Sequence, residues 1–251
     1  MPQLLIDKAD GILTLTLNRP EKKNALSMEM YQGLRDGLVQ AGEDADIRVV
    51  YIRSSSEDFT GGNDLKDFAA VNRGEMDLAD LPVVPFIRTV IEFPKPLVAA
   101  VKGVAVGIGT TLLLHCDAVV AGRSARFHLP FVQLGLTPEL GSSFLFPELA
   151  GRIRGSYLLL SGEPFDAEAA YQMGLISHLC EDADVEATAA AVCRRLAGLP
   201  PNTVQAIKQL VRSPRWVEHL KTVIEEENRV FSRRLKSPEH RQALEAFFNK
   251  R

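Results

Sequence analysis

Gly103-Val104-Ala105-Val106-Gly107-Ile108-Gly109-Thr110-Thr111-Leu112 is the stretch on which the reading of this chain turns. Glycines punctuate a loop that runs straight into an apolar helical pattern. Such a junction leaves backbone N–H groups free at a helix N-terminus, where the macrodipole favours negative charge. Gly107-Ile108-Gly109 also begins a dinucleotide fingerprint, but Leu112 stands where the third glycine belongs and no suitable acid sits on a following strand. That reading is rejected, and no Gly-Lys-Ser/Thr phosphate loop is present. A second glycine loop lies upstream, Asp58-Phe59-Thr60-Gly61-Gly62-Asn63-Asp64-Leu65. Alone it reads as a strand-to-helix turn capped by Asn63 or Asp64, or as a place where backbone N–H groups approach a ligand.

Working outward, Ile12-Leu13-Thr14-Leu15-Thr16-Leu17 alternates like a half-buried strand, with Leu4-Leu5-Ile6 before it across Gly11 as a hairpin. Ser27 is placed to cap a helix through Leu34 and Leu38. Val49-Val50-Tyr51-Ile52-Arg53 and Pro96-Leu97-Val98-Ala99-Ala100-Val101 are apolar throughout, as strands covered on both faces are. Residues 110–116 read as a buried helix and 118–121 as a short strand. The alternation to about residue 180 predicts an α/β core with largely parallel pairing. Helices are expected at 185–199, 202–211, 215–235 and 238–249, separated by Pro200-Pro201, Ser213-Pro214 and Ser237-Pro238. The division expected is a core over 1–185 and a helical region over 186–251.

The chain has 251 residues, 46% hydrophobic and 24% charged, with a formal net charge of -3. That balance suits one ordinary globular unit and gives no reason to expect nucleic-acid or membrane-surface partners. No leader-like or membrane-length apolar run is seen, and Phe248-Asn249-Lys250-Arg251 is not a peroxisomal address. Cys116, Cys180 and Cys193 share no metal spacing and read as reduced thiols of a cytoplasmic protein; no metal site is expected.

One acid stands out. Glu139 lies in Leu136-Thr137-Pro138-Glu139-Leu140-Gly141-Ser142-Ser143, where Thr137, Pro138 and Glu139 read as N-cap, N1 and N2 of a helix. His128 reads as a structural residue near a pocket and His115 as a helix residue near the core. Phe247 and Phe248 read as helix packing rather than a ligand cradle.

Leu17-Asn18-Arg19-Pro20-Glu21-Lys22-Lys23-Asn24-Ala25-Leu26, Phe93-Pro94-Lys95-Pro96-Leu97-Val98-Ala99, Cys116-Asp117-Ala118 and Ala167-Glu168-Ala169-Ala170-Tyr171-Gln172-Met173-Gly174-Leu175-Ile176 complete the pattern begun by the two glycine loops. Together they make the chain resemble the crotonase (enoyl-CoA hydratase/isomerase) superfamily over nearly its whole length. The resemblance implies an α/β fold of the crotonase type, a spiral of ββα units with a helical C-terminal region. It implies an acyl-CoA substrate, no further cofactor, and a homotrimer or a hexamer, with acyl-CoA binding and catalysis by the core over 1–185 and oligomerisation and pocket cover by the helical region over 186–251. The N–H groups of Asn63 and Ile108 map onto the family's oxyanion hole, which holds a thioester enolate. Ile108 departs from the glycine usual in the hydratases. Lys23, Ala25, Leu26, Gly61, Gly62, Asp64, Leu65, Gly107 and Phe131 map onto the substrate site, Lys22 could meet CoA phosphates, and Lys250 is a further candidate for CoA contact. The pocket wall is expected from 66–88.

The two glutamates of the hydratases fall on Thr111 and Phe131, neither of which exchanges protons usefully near neutral pH. The stretch around Glu139 is instead similar to the peroxisomal-type Δ3,Δ2-enoyl-CoA isomerases, where a lone glutamate is the acid–base. Moving a double bond from C3 to C2 takes a proton from C2 and returns one to C4, so one carboxylate suffices. Another crotonase reaction, such as hydration by an unusual arrangement, and a non-catalytic acyl-CoA-binding protein stay open.

Overall fold

The N-terminal hairpin forms as β1 (Leu4–Ala9) and β2 (Ile12–Leu17), antiparallel, with Ala9 opposite Ile12. The computed structural model describes residues 1–249. Ser27 accepts the Met30 N–H and starts α1 (Met28–Glu43), whose Met30, Leu34, Leu38 and Ala41 enter the core. The helix returns the chain to β3 (Val49–Ser54), parallel to β2. After α2 (Leu65–Asn72) and α3 (Val83–Glu92), β4 (Leu97–Val101) adds to β3, again parallel. β4 and the Val49–Ile52 part of β3 are apolar runs because both their faces are covered.

The spiral repeats from there. β5 (Val104–Val106) leads into α4 (Ile108–Thr111) and a 3₁₀ turn, Leu112–His115. β6 (Ala118–Gly122) and β7 (Arg126–His128) come next. α5 (Ser142–Ala150), α6 (Arg152–Ser161), β8 (Phe165–Asp166), α7 (Ala167–Gln172) and β9 (His178–Cys180) finish the core. One sheet runs β1-β2-β3-β4-β6-β9 and a smaller one β5-β7-β8. These two layers of strands, linked by helices, are the ββα spiral expected from the sequence.

α8 (Val185–Ala197), α9 (Pro201–Val211), α10 (Pro214–Leu235) and α11 (Pro238–Asn249) follow. α8 sets Val185, Ala189 and Cys193 against Val49, Tyr51, Val98 and Val120, forming a second apolar cluster on the sheet. α9 is tied down by Lys208, whose Nζ donates to Asp117 Oδ2 at 2.6 Å and to Lys95 O at 2.6 Å. α10 buries one stripe, Leu220, Ile224, Glu227, Phe231 and Leu235, at helical spacing. α11 turns back so that His240 Nδ1 donates to Leu134 O at 2.7 Å. Lys250 lies outside the described residues. Among those residues no helix is long and apolar enough to cross a membrane.

Candidate active site

The two glycine loops meet. Thr60 forms an isolated parallel bridge with Ala105: Thr60 N–H donates to Val104 O and Val106 N–H donates to Thr60 O, each at 3.0 Å. Asn63 lies three residues beyond Thr60, and Ile108 lies three beyond Ala105. The bridge therefore brings the two positions forward in step. The approach is close enough to demand glycine at 62: its φ is +89°, and a Cβ there would sit 2.7 Å from Val106 O. Among the described residues, the N–H groups of Asn63 and Ile108 have no hydrogen-bond acceptor, while their neighbours do: Gly62 donates to Thr60 Oγ1, Asp64 to Leu26 O and Gly107 to His128 O. Two unpaired donors on adjoining loops, one at the first residue of a helix, form a geometry suited to holding an anionic oxygen.

A third segment braces them. Leu26 N–H donates to Gly62 O at 2.8 Å, and Gly61 N–H donates to Lys23 O at 2.7 Å. Asn24 is fully buried at φ +52°. Its Nδ2 donates to Ser54 Oγ at 2.7 Å and to Asp58 O at 2.9 Å, and its Oδ1 accepts from Arg19 N–H at 2.7 Å. Arg19 in turn pairs with Asp64 at 2.9 Å, and Asp64 accepts the Lys66 N–H to cap α2. Asp64 is therefore an orienting cap. Tyr31 of α1 donates its hydroxyl to Asn63 Oδ1 at 2.5 Å, fixing that side chain from beneath. Sequence reasoning passed over Asn24, Arg19 and Tyr31; the αL-tolerant asparagine after two lysines was the one available hint.

Glu139 is not in a helix. α5 begins at Ser142 with Gly141 as its N-cap, and Leu140 (φ +57°) and Gly141 (φ +73°) form a left-handed turn between Glu139 and the helix. This corrects the cap reading of Thr137, Pro138 and Glu139. The Glu139 carbonyl accepts from Ser142 N–H and Oγ at 3.0 and 2.6 Å, while His115 Nε2 donates to Leu140 O at 2.9 Å. The turn is thus gripped on both sides. Glu139 is 6% exposed, and Thr111 Oγ1 donates to its Oε1 at 2.6 Å. Burial pushes the Glu139 pKa up to about 8; the Thr111 hydroxyl pulls it down and the charge of Glu227 pushes it further up. Thr111 thus serves as a donor to Glu139. Burial also pushes His115 down to about 4, leaving it neutral at ordinary pH.

Lys23, Ala25, Gly61, Gly62, Asp64, Leu65, Gly107 and Phe131 line a cavity of about 710 Å³, together with Asn63. Leu26 does not line it: the residue is 1% exposed and packs in the core, so only its backbone serves the site, through Gly62 and Asp64. The Ile108 side chain is likewise fully buried, and Glu139 is not on the cavity wall. Phe231, Phe247 and Phe248 from the C-terminal helices close one side, which corrects the reading of Phe247 and Phe248 as packing alone. His128 lines the cavity and donates from Nε2 to Gly162 O at 2.7 Å, a structural bond. From 66–88, only Lys66 and Phe68 reach the large cavity; Asp67, Phe68, Leu81, Pro82 and Val83 instead wall a water-sized void of about 10 Å³ beside Tyr31 and Asn63.

The spiral of ββα units thus carries two unpaired N–H donors on adjoining loops and, within the short helix that Ile108 opens, a threonine bonded to a buried carboxyl. The family profile described as Enoyl-CoA hydratase/isomerase matches residues 7–251, and the chain belongs to that family. It is 36% identical to the Rattus norvegicus protein named Enoyl-CoA delta isomerase 2, over 99% of this chain but only 64% of that protein's length. It is also 36% identical to the 1,2-epoxyphenylacetyl-CoA isomerase of Escherichia coli (strain K12), over 96% of this chain and 93% of that one. The solved structure of Pseudomonas aeruginosa OdaA superimposes with a TM-score of 0.93 at 44% identity, covering 98% of this chain and 99% of that one. The chain is therefore an acyl-CoA enzyme of the hydratase/isomerase family, built on the crotonase fold.

Proposed function

We propose that this enzyme isomerises 3-enoyl-CoA to trans-2-enoyl-CoA, with Glu139 as the only proton carrier. The observation that carries the reading is the pairing of Glu139 with Thr111: a buried carboxyl whose neighbour, at the place of a hydratase acid, is a hydroxyl donor. The N–H groups of Asn63 and Ile108 receive the thioester oxygen. One such donor is worth about 3–4 kcal/mol in the transition state. Glu139 takes a proton from C2, the charge moves onto the oxygen, and the same carboxyl returns a proton to C4. A pKa of about 8 suits both halves, since a base near the working pH gives the proton back readily. The CoA moiety lies along the mouth formed by Lys22, Lys23 and Ala25. The exposed apolar side chains of Ile153, Leu160, Leu210 and Val211 support a homo-oligomer, a trimer or dimer of trimers.

The test is conjugation of 3-hexenoyl-CoA, followed by ultraviolet absorbance of the product thioester, with Glu139→Gln alongside. Wild-type conjugation, and loss of turnover in the variant with acyl-CoA binding retained, is the expected result. A product heavier by one water would replace the isomerase by a hydratase. Binding without any conversion would make this an acyl-CoA-binding protein.

A further inference from the structure

The base turn rests on a helix that lies far away in the chain. Glu227 of α10 is 7% exposed and accepts two backbone N–H groups of the segment after Glu139: Gly141 N–H to Oε2 at 2.6 Å and Ser143 N–H to Oε1 at 2.9 Å. It supplies the cap that α5 lacks locally, since no side chain of α5's own entry turn bonds its first N–H groups. The same face of α10 is seated against the turn. A Cβ on Gly141 would lie 2.5 Å from Leu220 Cδ1 and 3.5 Å from Ile224 Cδ1, so the left-handed glycine is also the place where the helix docks. One turn beyond Glu227, Phe231 reaches the wall of the large cavity.

We infer that Glu227 is a positioning residue for the Glu139 base: it holds the 139–143 turn in place and keeps a second carboxylate facing the reacting one. The inference rests on Glu139 being the proton carrier. Burial pushes Glu227 above the ordinary carboxylate range, the two N–H donors and the helix N-terminus oppose that push, and its charge when ionised favours the neutral form of Glu139. The other groups facing Glu139 are the Thr111 hydroxyl from α4 and the Tyr31 phenol from α1. His115 meets the turn from the 3₁₀ segment through Leu140 O, as a neutral donor. His219, also on α10, stacks edge-on against Phe144 with ring centroids 5.0 Å apart. The helical region therefore tunes the chemistry as well as covering the cavity.

The test is Glu227→Gln in the full chain, read in two ways. Infrared difference spectra, with Glu139→Gln as the subtraction reference, follow the titration of the Glu139 carboxyl without any substrate. The pH dependence of kcat/KM on 3-hexenoyl-CoA follows its use. The expected result is a Glu139 midpoint lower by about half a pH unit or more, as removal of a like charge requires. The acid limb of kcat/KM should move with it, and the plateau should fall. A folded Glu227→Gln protein whose midpoint matches the wild type overturns the inference, even if activity drops. Should Glu227→Gln not fold, Glu227→Asp decides: the charge stays but cannot reach both N–H groups. A held midpoint with a reduced plateau supports the inference, and a wild-type plateau overturns it. If 3-hexenoyl-CoA is not converted at all, the isomerase reading fails while the infrared midpoint still decides the part played by Glu227.

Discussion

Replacing Glu139 by Gln should make this protein harder to unfold, by an amount that grows with pH. In the folded chain the carboxyl titrates at about 8 because it is buried, against an ordinary value of 4.5. Between those values the unfolded chain has lost its proton and the folded chain has kept it. Folding then takes up a proton, and stability falls as pH rises through that window. A gap of one pKa unit corresponds to about 1.4 kcal/mol, so the loss is roughly 2 kcal/mol at pH 6 and on the order of 4–5 kcal/mol at pH 8 and above. Glutamine has no proton to bind, keeps an oxygen to accept from Thr111 Oγ1, and fills nearly the same space. Its advantage over Glu139 should therefore be small below pH 4.5 and reach its full size near pH 8. Urea unfolding of both proteins at pH 5, 6, 7 and 8, followed by the fluorescence of Trp216, the single tryptophan, measures the difference directly. Groups that titrate alike in both proteins cancel. Stability curves that stay parallel across this range would refute the reasoning, because they would mean that Glu139 is already ionised in the fold.

Two further outcomes follow from the same geometry. Thr111→Val removes the donor that favours the ionised carboxyl, so the Glu139 pKa must rise; a hydrogen bond to a charged acceptor is worth about 1.5–3 kcal/mol, or about one to two pKa units. The acid limb of kcat/KM should move up accordingly, with activity at pH 7 down about tenfold or more, and a limb left in place would show that the hydroxyl is not the partner that matters. Gly62→Ala forces a Cβ to within 2.7 Å of Val106 O at a φ of +89°, so the loops must part and the Asn63 donor must move. Loss of one such donor lowers kcat by about 10²–10³-fold; steady-state kinetics, with circular dichroism to show that the fold persists, checks it.

What could be read from the chain ahead of its structure divides by the distance over which the physics acts. The alternating Thr and Leu of β2, the apolar run that opens β3, the apolar β4, and the Ser27 cap are written in neighbouring residues and appear at their expected places. The two glycine loops are legible for the same reason, since a glycine needed for a close approach is visible without its partner. Glu139 was found but misplaced: Thr-Pro-Glu has the form of a helix start, and nothing local announces that Leu140 adopts a left-handed conformation. Its cause is tertiary, through His115 on one side and α10 on the other. Tyr31 and Glu227 were missed because each acts 32 to 86 residues from its own place in the chain. Phe247 and Phe248 look like any apolar helix pair until α11 folds back over the cavity.

The bridge between Thr60 and Ala105 has a consequence for how such a site can change over time. In the proposed reaction Asn63 and Ile108 offer only main-chain groups to the substrate, so their side chains can be exchanged for others that fit, at the cost for Asn63 of its bond from Tyr31. Loop length is not free in the same way. Adding or deleting a single residue between the bridge and either donor would shift one N–H relative to the other, since Gly62 and Gly107, both at positive φ, set the direction in which each loop leaves the bridge. Variation that reshapes the pocket is therefore channelled into substitution within loops of fixed length, and a mutant library aimed at new acyl groups should vary letters there and leave the spacing of three untouched.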